Sequence, residues 1–151
     1  MPVVTTNKEN AVELAAHGEY KIEQKGNILF VDAHGPFNDV MAQLYAKDMY
    51  EVCSTFKGEC WASLVTYYGN ALYTPEAEST LIALTKYRAQ HGMIANASII
   101  LDSNCGDIQQ MQLRRIYQSA NMTFHVFSDI NSAEKWLVDF MSRQIRTKKA
   151  Q

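Results

Sequence analysis

The run Asn96-Ala-Ser-Ile-Ile-Leu-Asp-Ser-Asn-Cys-Gly-Asp107 passes from an apolar stretch, through a polar loop, into a helical pattern. A short, nearly continuous apolar run bounded by turn residues is the mark of a buried strand. The same strand, loop, helix unit recurs on either side of it. That recurrence restricts the chain to an α/β architecture, because helices alternating with strands pack over a largely parallel sheet.

Taken in order, Glu19–Lys25 alternates, with Tyr20 and Ile22 on one face and charges on the other. Gly26-Asn27 is a tight-turn signal, and Ile28–Ala33 is more continuously apolar and hence more central, so the pair forms a β-hairpin. His34-Gly-Pro-Phe-Asn38 breaks the second strand, and Asn38 or Asp39 can cap a helix that runs to about Phe56. Met41, Leu44, Tyr45, Met49, Val52 and Phe56 recur there at three- and four-residue steps, and Lys57-Gly58 ends the helix.

Trp61–Tyr68 is aromatic and β-branched enough for a strand. Thr74-Pro-Glu-Ala-Glu78 supplies a capping hydroxyl, proline in the first turn and two acids at the positive dipole end. The helix it starts carries Ala77, Leu81, Leu84 and Tyr87 and stops at His91-Gly92. Ile108, Met111, Ile116, Tyr117 and Ala120 mark a third helix, and Thr123–Ser128 a further strand. Asn131-Ser-Ala-Glu134 has capping-box spacing ahead of an apolar stripe of Trp136, Leu137, Phe140 and Met141.

The predicted order is β-β-α-β-α-β-α-β-α, a mixed, mostly parallel sheet with packed helices and an antiparallel first strand. A length of 151 residues suits one domain. The expected divisions are an N-terminal arm over 1–18, with one short helical turn at Ala11–Ala16, a single domain over 19–145, and a basic tail over 146–151 that frays.

Net charge of -2 offers no domain-wide positive field for a nucleic-acid backbone. Cys53, Cys60 and Cys105 form an odd set without CxxC spacing, and Met1-Pro-Val-Val-Thr-Thr-Asn-Lys8 lacks the pattern of a secretory signal; free thiols in the cytoplasm are expected. No apolar run reaches the ~18 residues of a membrane span. His17, His34, His91 and His125 lack the i, i+4 spacing of a helical metal pair, and GxGxxG, P-loop, GxSxG and HExxH are missing, so no metal or cofactor is implied.

In an open parallel sheet, the loops leaving the strand C-termini gather along one edge, where ligands bind. Here they are His34–Asn38, Tyr67–Thr74, Asp102–Asp107 and Ser128–Asn131. They offer His34, Asn38, Tyr68, Asn70, Tyr73, Asp102, Ser103, Asn104 and Cys105 as a polar rim with aromatic walls. The same residue types also serve as ordinary turn and cap residues. Cys105 precedes a helix start, which favours thiolate, but Asp102 and Asp107 oppose it, so an inert thiol is expected. Arg114-Arg115 and the tail cations Arg143, Arg146, Lys148 and Lys149 could touch phosphates or an anionic membrane surface, although cations in a last helical turn also complement its dipole.

Three segments together resemble the STAS domains (sulfate transporter and anti-sigma factor antagonist), and more narrowly their SpoIIAA-like group, over about Glu19 to Met141. They are the hairpin ending Ile28-Leu-Phe-Val-Asp-Ala-His-Gly-Pro-Phe-Asn38, the segment Leu84-Thr-Lys-Tyr87 before Ser98-Ile-Ile-Leu101, and the closing Phe124-His-Val-Phe-Ser-Asp-Ile-Asn-Ser-Ala-Glu-Lys-Trp-Leu137. The resemblance implies a compact mixed sheet and a non-enzymatic role in protein recognition or small-ligand sensing. Anti-sigma antagonists of this type are switched by phosphorylation of a serine beside glycine at the start of the second helix. Here that helix begins Thr74-Pro-Glu-Ala-Glu-Ser-Thr80, with no Ser-Gly pair and with acids crowding a phosphate, so Thr74 and Ser79 are weak phosphorylation candidates.

The leading expectation is therefore a cytoplasmic regulatory or ligand-binding domain that meets a protein or a small molecule at the rim without catalysis. An exposed apolar helix face would support a homodimer. A second expectation is a carrier of a small apolar or lipid-like ligand, which calls for an enclosed cavity lined by Met41, Tyr45, Tyr68 or Tyr73. A third is a small enzyme using Cys105 or His34.

Overall fold

A computed structural model describes residues 3–5 and 18–150. The strands are β1 (Val3–Thr5), β2 (Glu19–Lys25), β3 (Ile28–His34), β4 (Trp61–Tyr68), β5 (Met93–Leu101) and β6 (Thr123–Phe127). The helices are α1 (Asp39–Cys53), followed by a 3-10 turn at Ser54–Phe56, then α2 (Pro75–Gln90), α3 (Gly106–Gln118) and α4 (Ile130–Ala150). The architecture is thus α/β with a mixed sheet, as the alternation predicts.

The sheet runs in sequence order, β1-β2-β3-β4-β5-β6. β1–β2 and β2–β3 pair antiparallel, and β3–β4, β4–β5 and β5–β6 pair parallel. Crossovers between parallel strands are right-handed, so a sheet that grows in one direction stacks every crossover helix on the same face. Accordingly, α1, α2 and α3 bury Met41, Met49, Leu81, Leu84, Leu113 and Ile116 against Tyr20, Ile22, Leu29, Val31 and Val65. The other face meets α4, whose Ala133, Leu137 and Met141 pack on Ile28, Ala62, Leu64, Ala95, Ala97 and Ile99. Alanines at three of those sheet positions let the helix come close.

Several local signals act as expected. Asn38 Oδ1 accepts from Met41 N at 3.0 Å and Thr74 Oγ1 from Ala77 N at 3.2 Å, each satisfying a free N–H of a first turn. Past α2, Gly92 adopts φ +100°, and a Cβ there would stand 2.5 Å from Glu59 O. This tight turn lets Trp61 Nε1 donate to His91 O at 2.8 Å while its ring stacks on Phe56.

Four expectations need correction. The 1–18 arm contributes β1, an edge strand too short for its three residues to show alternation; the turn expected at 11–16 lies outside the described residues. The tail begun at residue 146 continues α4 through Ala150. The cap of α4 is Asp129 and not Asn131: Ser132 N donates to Asp129 Oδ1 at 2.8 Å. These bonds hold the exposed Asp129 carboxyl below its usual range. Finally, Ile108 and Met111 are 52% and 53% exposed. The buried stripe of α3 is Gln109, Leu113, Ile116 and Tyr117, at steps of four, three and one, which turns Ile108 and Met111 away.

Candidate functional site

The strand C-terminal loops do gather along one edge, and they are fastened to each other. Phe37 N donates to Leu72 O and Thr74 N to Phe37 O, both at 2.9 Å, so the loop after β3 and the loop after β4 pair like a fragment of sheet. Gly35 makes the approach feasible, since a Cβ there would lie 2.4 Å from Ala71 Cα. Gln112 of α3 grips the same loop with both ends of its amide: Oε1 accepts from Tyr73 N and Nε2 donates to Tyr73 O, each at 2.9 Å.

Within this frame the candidate residues divide by task. His34 and Tyr68, adjacent in the β3–β4 register, stack with ring centroids 4.6 Å apart. Asn38 and Thr74 are occupied as caps. Asn70 Oδ1 accepts from Asn104 N at 2.8 Å and from Ser103 Oγ at 3.3 Å, tying the loop after β4 to the loop after β5. Gln109, 2% exposed, completes this knot through Ser103 Oγ and through Gly69 O, to which its Nε2 donates at 3.3 Å.

Cys105 N donates to Ser103 Oγ at 3.0 Å, and its thiol stands 3.6 Å from that oxygen and 3.7 Å from Gln109 Oε1. The ring of His34 stacks on Tyr68 and is not among these partners. Ser79 is exposed on α2. Arg115 is committed to Glu78 through Nε at 3.0 Å and Nη2 at 2.7 Å, which leaves it poorly placed to meet a phosphate.

Beside the knot, the exits of β5 and β6 and the first turn of α3 enclose an open groove of about 490 Å³. Ile100, Val126 and Phe127 give it apolar walls, and Asp102, Ser103, Gln110 and Ser128 give it polar ones. Asp102 takes φ +56°, a left-handed conformation that turns the chain sharply between β5 and the knot. Gln110, Val126 and Phe127 escaped notice because the first reads as a solvated helix position and the others as strand filler.

The interior between the sheet and α1–α3 holds an unanticipated set of polar groups. Asn96 Nδ2 donates to Ser63 Oγ and Ser98 Oγ donates to Asn96 Oδ1, both at 2.7 Å, and all three residues are fully buried. Nearby, the Tyr67 and Tyr73 hydroxyls are 3.0 Å apart. Arg88 is 1% exposed, with Nη2 donating to Thr85 Oγ1 at 2.9 Å.

A cavity of about 30 Å³ opens here. Met41, Tyr45 and Tyr73 line it, together with Tyr67, Tyr117 and Arg88, while Tyr68 does not. It is roughly tenfold below the smallest of ordinary ligand pockets, which begin near ~300 Å³. Desolvation pushes the ionisation of Tyr45, Tyr67, Tyr73 and Tyr117 upward, so these phenols stay protonated at neutral pH. The helical stripe itself signalled Arg88: stepping from Ala77 to Leu81, Leu84 and onward by four lands on it.

Among the described residues, no helix is long and apolar enough to cross a membrane. No family model, curated protein or solved structure matches the chain.

Proposed function

We propose that this chain is a non-catalytic, STAS-like recognition domain of the cytoplasm that takes up a small molecule at its strand C-terminal edge and presents the occupied edge to a regulatory partner. The observation that carries this reading is the groove of about 490 Å³ beside the knotted loops. Its size suits a small ligand, and it mixes apolar walls with a few polar groups, as ligand sites do. The knot of Asn70, Ser103, Asn104 and Gln109 holds the groove's lip in place without a ligand, which reduces the ordering that binding must oppose.

One observation weighs against the carrier reading: the interior cavity of about 30 Å³ is too small for a lipid chain.

The test is a screen of small metabolites by amide chemical-shift changes in the ¹⁵N-labelled protein. Binders should move the signals of residues 100–110 and 126–128, and Ser128→Trp, which fills the groove, should abolish the changes. Binders that map elsewhere, or that bind Ser128→Trp unchanged, refute the proposal.

A further inference from the structure

Arg88 poses a problem that the rest of the core does not resolve. A guanidinium carries five N–H donors and keeps its positive charge at any ordinary pH. Thr85 Oγ1 takes a bond from Nη2, and the hydroxyls of Tyr117 and Tyr45 come close enough to the guanidinium to accept weakly from it, but no acceptor stands in good hydrogen-bond geometry to Nε or Nη1. The ion pairs among the described residues, Lys25–Glu23, Arg115–Glu78 and Lys135–Asp139, all lie elsewhere. The ionisable groups next to the guanidinium are Tyr117, Tyr45 and Cys53. Burial keeps each of them protonated, the thiol being pushed up to about 11. A fully buried cation thus has two nitrogens without an acceptor in good geometry and a charge that none of these neutral groups cancels, a condition that folded proteins avoid.

The same guanidinium lines the cavity of about 30 Å³. A space of this size admits a water or two, or an ion of similar bulk, because one water needs only ~10–15 Å³. It is too small for a ring, a chain or a tetrahedral oxyanion. Water would satisfy the N–H groups but leave the charge uncancelled, whereas a small anion does both. The wall hydroxyls of Tyr45 and Tyr117 can rotate to donate to the same guest.

We infer that this cavity is a binding site for a small monoanion, of the size of a halide or formate, held by Nε–H and Nη1–H of Arg88 within a wall of tyrosine hydroxyls. The site lies inside the core and is separate from the groove at the loop edge. It gives the fold a response to its ionic surroundings whatever the groove binds.

The experiment uses the full chain exchanged into sodium gluconate, whose anion is too large to enter, with chloride, bromide or formate then replacing gluconate at constant ionic strength. The Arg88 Nε–H resonance, assigned with Arg88→Lys, should shift saturably and the melting temperature should rise in step. Sulfate should change neither beyond gluconate. Arg88→Lys should weaken the thermal response by at least about tenfold in affinity, because a compact ammonium does not present the same fork of donors. A bromide-soaked crystal should show an anomalous peak within hydrogen-bonding reach of Nε or Nη1. Halide and formate arms that differ in affinity identify which monoanion the site prefers. An Nε–H resonance that stays fixed through all the titrations, or a cavity empty of bromide, means that water alone fills the space and overturns the inference.

Discussion

Replacing Arg88 with methionine should stabilise the protein in anion-free buffer, although Arg88 is among the largest fully buried side chains. The substitution loses the hydrogen bond from Nη2 to Thr85 Oγ1, worth about 1 kcal/mol, and the weaker contacts of the guanidinium with the Tyr45 and Tyr117 hydroxyls. Thr85 is not stranded, because its hydroxyl still donates to Leu81 O at 2.7 Å. Against that loss, it removes the buried N–H groups on Nε and Nη1, each unsatisfied donor costing about 1–3 kcal/mol, together with a charge that has no counterion. Methionine is unbranched and flexible enough to fill most of the vacated space. The net gain should fall in the range of about 1–4 kcal/mol seen when buried ionic groups give way to apolar ones. At roughly 2–4 °C per kcal/mol for a domain of this size, the melting temperature should rise by several degrees. Urea unfolding of both proteins in gluconate measures the difference. Adding chloride should narrow it, since an anion that binds only the folded wild type stabilises only the wild type. A loss of about 1 kcal/mol or more in gluconate would show that the guanidinium is already compensated, and the reasoning from its unpartnered nitrogens would fail.

Three further perturbations probe other parts of the structure. Burial raises the Cys53 thiol from 9.0 to about 11, so the unfolded chain ionises first; the stability this gives is intact below pH 9 and disappears as pH rises through 11. Urea midpoints should therefore fall over that window, more steeply once the tyrosines join, and less in Cys53→Ala; equal slopes in the two proteins contradict the assignment. Gly35→Ala should destabilise by about 3 kcal/mol, because the new Cβ meets the backbone of Ala71 at 2.4 Å; a change under about 0.5 kcal/mol in thermal unfolding would mean the loops are not so closely apposed. Asn96→Ala should destabilise by about 2–3 kcal/mol and Ser98→Ala by about 1, with the double variant falling short of the sum by about 1 kcal/mol, since both remove the same 2.7 Å bond. Strict additivity in chemical denaturation would show that the two side chains do not share it.

The fold was legible wherever a pattern was carried by local chemistry. Asn38 and Thr74 were recognisable caps because a short oxygen-bearing side chain ahead of an apolar stripe has few other uses. Trp61–Tyr68 declared itself a strand by its aromatic and β-branched character. Legibility failed where long-range packing decides. Ile108 and Met111 looked like core residues because they are apolar, but the rotation of α3 is set by Leu113, Ile116 and Tyr117 meeting the sheet. Asn96 and Ser98 gave no sign that they face the interior, since their partner Ser63 lies on another strand. The rim was found by topology, yet which of its residues would be spent on fastening loops depended on Gln109 and Gln112, polar positions of a helix that sequence alone assigns to solvent. Arg88 was visible in the stripe of α2, but a cation in a last turn has an ordinary explanation in the helix dipole, and only its burial removes that explanation.

The sheet that grows in one direction also has a consequence for how the chain is made. Strands β1 to β6 and helices α1 to α3 all precede residue 130, so a nascent chain can assemble one complete hydrophobic layer while Ile28, Leu64, Ala95, Ala97 and Ile99 on the opposite face still await α4. Until residues 133–141 leave the ribosome, that face is an open apolar surface of the kind that chaperones hold and that other unfinished chains adhere to. In this respect α4 is the element that closes the second hydrophobic layer, and a chain that has not yet released it carries that apolar face uncovered.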